Sequence, residues 1–448
     1  MRIIALLAML AVTAVAGGAK AEVSPRPSCV ATARVADGAA ADRIDCFAID
    51  KASELRQWSG AGSWASLGPV SHVSRSVSCL KTRDGYLHCF YVRRDGQIWH
   101  RRWLPDAPRA ATLEAIGGVP LSPAPGALIR PGFVDHMANE LTCMESGDNN
   151  IACMVQTVAA PDGRFYGEPG LYVRRYLTSI GGWSAWQSMG VGWRTGNCRW
   201  TGTSLDYCTL HRFDAAESIT RHILASTHDY GPVFPSGEAP LAGLVRTTPL
   251  VGPRDSTGAY PHLSGGLQCL HVLVRPDPSV GEYAFSQHCA ALTDTRQLYF
   301  GSLVARGPRE MTWSPVADTP VDLSPGSGVL TGDEQAPNCQ VMNPPASRAD
   351  LSPVEDLVFT CVQVTGEREV TFLRYSDGRW TRQAIATPYI VTGAPVCVVL
   401  AATRLDCFFR TDLKLGRMNR LSVVLSGKGI DYGLNEIGRG FVYPRPPR

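Results

Sequence analysis

The sequence predicts an all-β protein, a single seven-bladed β-propeller with one disulfide inside each blade. Two observations lead to this fold class. The 14 cysteines fall into seven consecutive close pairs, and around each pair the chain repeats short runs in which apolar and polar residues alternate. Alternation with a period of two is typical of half-buried strands. Seven copies of one β unit indicate a radially closed repeat fold.

The N-terminal segment has the pattern of an export signal. Arg2 gives it a positive start, residues 3–16 are almost wholly apolar, and residues 19–21 (AKA) fit a small-x-small cleavage site. The apolar run is shorter than the ~20 residues that span a bilayer, and an uncleaved membrane anchor is the alternative. We therefore expect a cleaved signal peptide over 1–21 and a periplasmic or secreted protein over 22–448, with no membrane span after the signal is removed.

The cysteine spacing predicts the disulfide pairing. An even cysteine count in an exported chain indicates a disulfide framework, and four of the seven pairs share the spacing C-x9-C. Two cysteines ten residues apart across a turn can face each other on adjacent antiparallel strands, close to the Cβ separation that a disulfide needs. Metal binding, the alternative, favours Cys-x-x-Cys pairs, and the chain has none. The predicted pairs are Cys29 with Cys46, Cys79 with Cys89, Cys143 with Cys153, Cys198 with Cys208, Cys269 with Cys289, Cys339 with Cys361, and Cys397 with Cys407.

The repeat sets the domain organisation. Each cysteine pair lies within a unit of four β-type runs separated by Gly, Asp, Asn or Pro, which fits one propeller blade. The units are shorter than the ~100 residues of an immunoglobulin-like domain, and a chain of small disulfide-rich modules is the alternative. The predicted blades, called units 1 to 7 below, span 28–69, 70–118, 119–190, 191–250, 251–325, 326–390 and 391–440.

The charge distribution argues against one class of partner. The chain has 43 basic and 40 acidic residues and a formal net charge of +3, and its basic residues are dispersed. Nucleic-acid-binding domains instead concentrate Lys and Arg on one face. We therefore expect no nucleic-acid partner.

One stretch of unit 2 carries a family resemblance. Residues 82–118 read TRDGYLHCFYVRRDGQIWHRRW and, after a loop, LEAIGG, while residues 63–68 (SWASLG) and 182–190 (GWSAWQSMG) repeat the outer-strand signature. This pattern resembles bacterial seven-bladed propeller lectins that bind fucose and O-methylated sugars, and it is similar to tectonin repeats. The resemblance implies a propeller fold and, less directly, sugar binding. The paired cysteines are not part of that family pattern.

The aromatic residues supply the candidate ligand-binding residues. Sugar rings stack their C–H faces on aromatic planes, and binding clefts are mostly apolar with a few placed polar groups. Such clefts would lie between neighbouring blades. The alternative is that the tryptophans only pack one blade against the next. The candidate ligand-binding residues are Trp64, Trp99, His100, Trp103, Trp183 and Trp186.

The sequence offers little support for catalysis or for a metal site. Among the predicted innermost strands, acidic residues occur only at Glu140 and Glu145, whereas a glycosidase needs a carboxylate pair at controlled separation. The Asp-Gly pairs lack the order of a sialidase Asp-box and fit ordinary hairpin turns. The histidines form no metal-ligand pair, so we expect no metal and no cofactor, although bound Ca²⁺ would leave no sequence trace.

These observations favour a secreted, non-enzymatic recognition protein that binds glycans through aromatic grooves. The alternative is a scaffold that binds a surface or periplasmic protein, and a divergent polysaccharide-acting enzyme is a third hypothesis. The insertions at 159–170, 225–266 and 344–353 are rich in Pro, Gly, Asp and Ser, and long loops often carry recognition. Fold alone does not decide among these functions.

Overall fold

The computed structural model describes the strands and part of their connections. The described residues are 27–31, 43–52, 54–60, 62–69, 77–82, 84–92, 97–105, 107, 110–118, 138–145, 149–157, 170–178, 181–184, 187–191, 193–194, 198–200, 205–212, 220–226, 245–251, 257–258, 268–273, 285–293, 296–305, 311–315, 320–323, 337–342, 357–412, 414–426 and 429–441. The predicted signal peptide, Trp186 and most of the three long insertions lie outside these ranges.

The protein is all-β, and its recurring element is an antiparallel meander of four strands. The strands of units 1 and 2 are β1 (Ser28–Ala31), β2 (Ile44–Ile49), β3 (Glu54–Ser59), β4 (Ala65–Pro69), β5 (Val77–Lys81), β6 (Leu87–Val92), β7 (Gln97–Trp103) and β8 (Thr112–Gly118). The strands of unit 3 are β9 (Ala138–Glu145), β10 (Ile151–Thr157), β11 (Gly170–Leu177), β12 (Gly182–Trp183) and β13 (Gln187–Val191). In unit 3 the fourth strand is split in two, since β12 and β13 both pair with β11.

The other four units follow the same plan. The strands of units 4 and 5 are β14 (Trp193–Arg194), β15 (Cys198–Trp200), β16 (Leu205–Arg212), β17 (Thr220–Ser226), β18 (Val245–Val251), β19 (Gln268–Leu273), β20 (Phe285–Leu292), β21 (Gln297–Ala305), β22 (Met311–Pro315) and β23 (Val321–Asp322). The strands of units 6 and 7 are β24 (Asn338–Val341), β25 (Phe359–Gly366), β26 (Glu369–Ser376), β27 (Arg379–Ala386), β28 (Val396–Ala401), β29 (Arg404–Thr411), β30 (Arg417–Ser426) and β31 (Gly429–Gly438).

Units 4 and 5 differ from the expectation of seven separate sheets. Their outer strands β18 and β22 pair in parallel, which joins the two units into one ten-stranded sheet. An outer strand presents a row of unpaired backbone N–H and C=O groups, and pairing the two edges satisfies part of both rows. Units 1, 2, 6 and 7 each form a separate four-stranded sheet.

Five of the predicted disulfides are confirmed. In every unit the two cysteines are directly opposed on adjacent antiparallel strands, as in the pairing of Cys79 with Cys89. No described cysteine is free. The confirmed bonds are Cys29–Cys46, Cys79–Cys89, Cys143–Cys153, Cys339–Cys361 and Cys397–Cys407.

The other two predicted disulfides are supported by the backbone and by one side chain. Cys198 stands directly opposite Cys208, and Cys269 stands directly opposite Cys289, in the same register as the five confirmed pairs. Cys289 is fully buried and disulfide-bonded. The side chains of Cys198, Cys208 and Cys269 lie outside the described part of the structure. The bond between Cys198 and Cys208, and the identity of the partner of Cys289, therefore stay predictions.

The first strands of the units are neighbours in a cyclic order. β1 lies beside β5, β5 beside β9, β9 beside β15, β15 beside β19, β19 beside β24, β24 beside β28, and β28 beside β1. Apolar side chains fill the junctions between units; Val364 and Phe409, for example, share one buried cluster between units 6 and 7. Each junction is named by the two units that it joins, so junction 2/3 lies between units 2 and 3.

A polar side chain connects each of several first strands to the next, and we call this contact the clamp. Ser78, directly before Cys79, donates its hydroxyl to the carbonyl of Cys143 (3.3 Å) and accepts the amide of Cys143 (2.8 Å). Ser28 makes the same two bonds to Cys79, and Gln268 makes them to Cys339. The clamp therefore satisfies backbone groups that the first strand, as a sheet edge, would otherwise leave unpaired.

Junctions 6/7 and 7/1 vary this arrangement. At junction 6/7 the clamp is divided, since Asn338 accepts the amide of Cys397 (3.2 Å) and Gln340 donates to its carbonyl (3.2 Å). At junction 7/1 the residue before the first cysteine is Val396, which has no polar group to offer. That junction is closed by other means.

The contacts that close junction 7/1 come from the two ends of the described chain, and we call this set the seam. The indole of Trp64 donates to the carbonyl of Ile437 (3.0 Å) and packs on Phe441 with ring centroids 4.5 Å apart. The amide of Lys51 donates to the carbonyl of Gly440 (3.0 Å), and Arg410 donates to the carbonyl of Phe441 (2.5 Å). The segment after β31 thus lies between the first and last units.

Long apolar helices are not a feature of the described part of the chain. Among these residues, no helix is long and apolar enough to cross a bilayer.

Candidate functional site at the junctions between units

Aromatic rings meet across the junctions in a repeated arrangement. At junction 1/2, Phe47 of β2 contacts Trp103 of β7 edge to face, with centroids 5.5 Å apart and planes at 78°. Edge-to-face contacts of this kind stabilise beyond the area they bury. Trp103 is only 1% exposed, so its ring packs the two units together.

Junctions 2/3 and 5/6 share a more exposed version of this contact. At junction 2/3, Trp183 lies edge-on to Phe90 (5.8 Å, 82°) and against Tyr176 (5.4 Å, 56°). At junction 5/6, Trp380 lies edge-on to Phe300 (5.2 Å, 79°) and against Tyr375 (5.2 Å, 48°). In both junctions the Trp and the Tyr are half-buried, so part of each ring pair faces the surface.

Arginines cross the same junctions. Arg101 and Arg174 hold equivalent positions, each opposite the second cysteine of its own unit. Their guanidinium groups donate to the backbone carbonyls of Leu67 and Ile116 on the outer strands of the preceding units. Burial lowers the pKa of both arginines, and these carbonyl contacts help to compensate the desolvated charges.

A chain of hydrogen bonds runs through unit 2 and reaches the surface at junction 2/3; we call it the relay. His100 Nδ1 lies 2.7 Å from Glu114 Oε1, and His100 Nε2 lies 2.9 Å from His88 Nδ1. His88 Nε2 lies 3.1 Å from the Thr82 hydroxyl, which donates to Asp84 at 2.5 Å. The relay therefore connects two carboxylates through two imidazoles and one hydroxyl.

The relay is buried in its middle, and the carboxylates at both of its ends reach the surface. His100 is 5% exposed and stacks in parallel on Phe90 (4.5 Å, 7°), whereas the Glu114 side chain is 55% exposed. Burial, the charge of His100 and the charge of Arg102 lower the pKa of His88 to about 2. Burial also lowers the pKa of His100, against an opposing contribution from Glu114.

The structure brings together two of the residues proposed from sequence. The ring of His100 faces the edge of Trp183, with centroids 6.1 Å apart. Trp99 is half-buried on the face of β7 that packs towards unit 1, beside Trp103, and Trp64 lies in the seam. Trp186 lies outside the described residues. A ligand-binding role for the six candidates stays a prediction.

Sequence reasoning overlooked the polar partners of this site. Glu114 follows His100 by 14 residues, with a loop between their strands, so no periodicity connects the two side chains. His88 precedes a cysteine by one residue, as His288 does in unit 5, and both are buried. A buried polar residue before the second cysteine is thus a repeat feature that an alignment of the units would have indicated.

No metal site is apparent at these junctions. Within the described ranges, no three His, Cys, Asp or Glu side chains group as the ligands of an ion. The prediction that the protein has no metal or cofactor therefore stays a prediction.

Comparisons with known proteins give structural neighbours only. No protein-family model and no curated protein matches the chain. Aleuria aurantia lectin, described as a six-bladed β-propeller with a fucose recognition mode, is 12% identical over 81% of this chain and 95% of its own, with a TM-score of 0.39. AofleA from Arthrobotrys oligospora is 10% identical over 81% and 85%, with a TM-score of 0.43. The NanB sialidase from Streptococcus pneumoniae is 7% identical over 82% and 80%, with a TM-score of 0.42.

Propeller lectins are thus among the structural neighbours, whereas the bacterial seven-bladed family and the count of seven blades stay predictions. All three TM-scores are below 0.5, so these likenesses carry no argument about function.

Proposed function

We propose that this chain is an exported seven-bladed β-propeller that binds carbohydrate, without catalysing a reaction, at junction 2/3. The observation that carries the proposal is that His100 lies against the half-buried Trp183, with ring centroids 6.1 Å apart, and within 2.7 Å of the exposed carboxylate of Glu114. An aromatic surface can pack on the C–H groups of a sugar ring, and a fixed hydrogen-bond acceptor beside it can bind the sugar hydroxyls.

Closure into one ring is supported by the cyclic order of the first strands and by the seam. β28 of unit 7 lies beside β1 of unit 1, and Trp64 of unit 1 bonds to Ile437 of unit 7. A closed ring removes the two free ends that an open array of seven units would expose. Export is supported by the disulfides, which persist in oxidising compartments.

The chemistry of junction 2/3 suits a neutral sugar. Glu114 Oε1 lies 2.7 Å from His100 Nδ1, and the carboxylate has further acceptor positions on its solvent side for sugar hydroxyls. Charge-assisted hydrogen bonds of this kind are stronger than neutral ones, so Glu114 is the residue expected to fix the orientation of the sugar.

Junction 5/6 provides an internal comparison because it has the same ring pair with a different partner. In unit 5, Phe300 pairs with Ala290, the residue directly after the second cysteine of that unit. In unit 2, His100 pairs with the corresponding residue, Phe90. An imidazole that could hold a carboxylate is therefore replaced by an apolar ring. We expect junction 5/6 to pack its units without binding sugar strongly.

A glycan array on the oxidised protein, followed by calorimetric titration of the best sugar, tests the proposal. We expect Trp183→Ala and Glu114→Ala each to weaken binding by about tenfold or more, from the loss of a stacking surface and of charge-assisted hydrogen bonds. Trp380→Ala is the matched control, since it removes the equivalent ring at junction 5/6 and should leave affinity within about twofold.

Two results would overturn the proposal. One is an array without saturable binding to any glycan while the disulfides are formed and the protein is folded. The other is equal weakening of sugar binding by Trp183→Ala and Trp380→Ala, because that would indicate a general loss of structure. The first result would favour a protein-binding scaffold.

A further inference from the structure

The relay requires one proton more than two neutral histidines provide. It has four contacts, Asp84–Thr82, Thr82–His88, His88–His100 and His100–Glu114, and each needs one hydrogen between its two heavy atoms. Two ionised carboxylates bring no hydrogen, the threonine brings one, and a neutral imidazole brings one on either nitrogen. Three hydrogens cannot fill four contacts.

The direction of the hydrogen bond between Thr82 and Asp84 determines where the missing proton belongs. The Thr82 hydroxyl donates to Asp84 at 2.5 Å, so its oxygen must accept from His88 Nε2. His88 Nδ1 is then a lone pair that accepts from His100 Nε2 at 2.9 Å. His100 Nδ1 and Glu114 Oε1, 2.7 Å apart, are both left without a hydrogen.

We propose that the relay takes up one proton, shared between His100 Nδ1 and Glu114 Oε1, and that this proton holds the Glu114 carboxylate at junction 2/3. Without the proton, two lone pairs face each other in the last contact. The Glu114 side chain then turns towards water, which its exposure permits. This inference rests on the proposed sugar site and names its regulation: proton uptake orders the acceptor that the sugar needs.

The surrounding charges decide at which pH the proton is released. On unit 2, the guanidinium of Arg102 lies 3.8 Å from the ring centroid of Tyr86 and 3.3 Å from Asp84, and its charge lowers the pKa of both histidines. From unit 3, Tyr176 packs on Trp183, and Arg174 bonds to the outer strand that carries Glu114. Burial and the charge of Arg102 lower the pKa of His100, against an opposing contribution from Glu114, so the proton is held at acidic pH and lost as the pH rises towards neutrality.

Two amide substitutions distinguish the two ends of the relay. Glu114→Gln provides an N–H that donates to His100 Nδ1, so both histidines stay neutral with their hydrogens on Nε2. Asp84→Asn keeps an oxygen that accepts from the Thr82 hydroxyl and from the Tyr86 amide, as Asp84 Oδ1 does, so that relay still lacks one proton. Only Glu114→Gln is therefore expected to complete the relay without proton uptake, and Asp84→Asn is its matched control.

Nitrogen-15 NMR of histidine-labelled, oxidised protein between pH 4.5 and 8 tests the relay without any sugar. We expect wild-type His100 to have both nitrogens protonated at the acidic end and to lose one proton on titration. His100 should stay neutral throughout in Glu114→Gln and should titrate as in the wild type in Asp84→Asn. A wild-type His100 that is neutral across the whole range, or a His100 that still titrates in Glu114→Gln, would overturn the inference.

Sugar affinity against pH tests the link to function. Wild-type affinity should be about fivefold higher at pH 5 than at pH 8, because one contact that orders Glu114 is lost. Glu114→Gln keeps its bond to His100 at every pH, so its affinity, although weaker, should be nearly independent of pH, whereas Asp84→Asn should keep the pH dependence of the wild type. The outcomes are separable, since a normal NMR titration without sugar binding refutes the proposed function but not the relay, whereas pH-independent wild-type binding refutes the coupling.

Discussion

The clamp between units 2 and 3 can be tested with one small substitution. Ser78→Ala removes the acceptor of the Cys143 amide and the donor to the Cys143 carbonyl. It removes a single oxygen, so it leaves almost no cavity. The two backbone groups of Cys143 then lose their side-chain partner at a partly buried site.

The expected cost follows from the two bonds. A net hydrogen bond contributes about 1 kcal/mol, and a buried donor left unpaired costs about 1–3 kcal/mol. The bond at 2.8 Å has good geometry and the bond at 3.3 Å is long, so we expect Ser78→Ala to lower the free energy of unfolding by about 2 kcal/mol. The amide of Cys143 should also exchange its hydrogen faster.

Urea unfolding of the oxidised protein and amide exchange measure these two effects. Ser426→Ala is a suitable control, because Ser426 is a serine whose exposed hydroxyl bond reaches only to Gly429, and it should change stability by less than about 0.5 kcal/mol. If Ser78→Ala changes neither stability nor the exchange of Cys143, the clamp does not stabilise the junction.

A clamp added at junction 7/1 should increase the free energy of unfolding, because the position equivalent to Ser78 is Val396 there. Val396→Thr has nearly the same shape and adds a hydroxyl that can reach the backbone of Cys29 on the neighbouring strand β1. We expect a gain of about 1 kcal/mol in the same urea assay. A loss of stability would mean that this junction has no unpaired backbone to satisfy.

Three further predictions concern the seam, a buried histidine and the disulfides. Trp64→Phe removes the hydrogen bond to Ile437 and should speed tryptic cleavage after Arg439, directly behind the last strand, severalfold. An unchanged rate would exclude a role for that bond in holding junction 7/1 together. Burial lowers the pKa of His288 to about 4. As the pH decreases, His288 therefore binds a proton near pH 6.5 in the unfolded chain but only near pH 4 in the folded protein. The free energy of unfolding should fall by about 3 kcal/mol as the pH decreases through this window. His288→Gln should remove this contribution, as measured by urea unfolding at pH 7 and pH 4. Replacing Cys397 and Cys407 together with alanine opens a loop of ten residues and should lower stability by about 2–3 kcal/mol; a change below about 1 kcal/mol would contradict the chain-entropy account.

The strands and disulfides could be predicted from sequence because both depend on local patterns. Cys79 and Cys89 are ten residues apart, and the register of one hairpin fixes their pairing. Alternating side chains define the faces of each strand in the same local way. These features need no knowledge of neighbouring units.

The junctions could not be predicted in the same way, since their contacts join distant parts of the chain. The residue before the first cysteine is polar in six units and is Val396 in the seventh. In the described clamps, this polar residue bonds to a backbone group 51 to 71 residues away. A side chain that bonds to backbone leaves no matching residue in the sequence. The parallel pairing of β18 with β22 likewise joins two outer strands with no shared pattern.

The seam has a consequence for the order in which the chain folds. The Trp64–Ile437 contact spans 373 residues, whereas the shortest disulfide loops span ten. Closing the longer loop costs about 3 kcal/mol more in chain entropy, and contacts of high sequence separation form slowly. We therefore expect the crosslinks within units to form early and junction 7/1 to form last, when the residues after β31 dock between the first and final sheets.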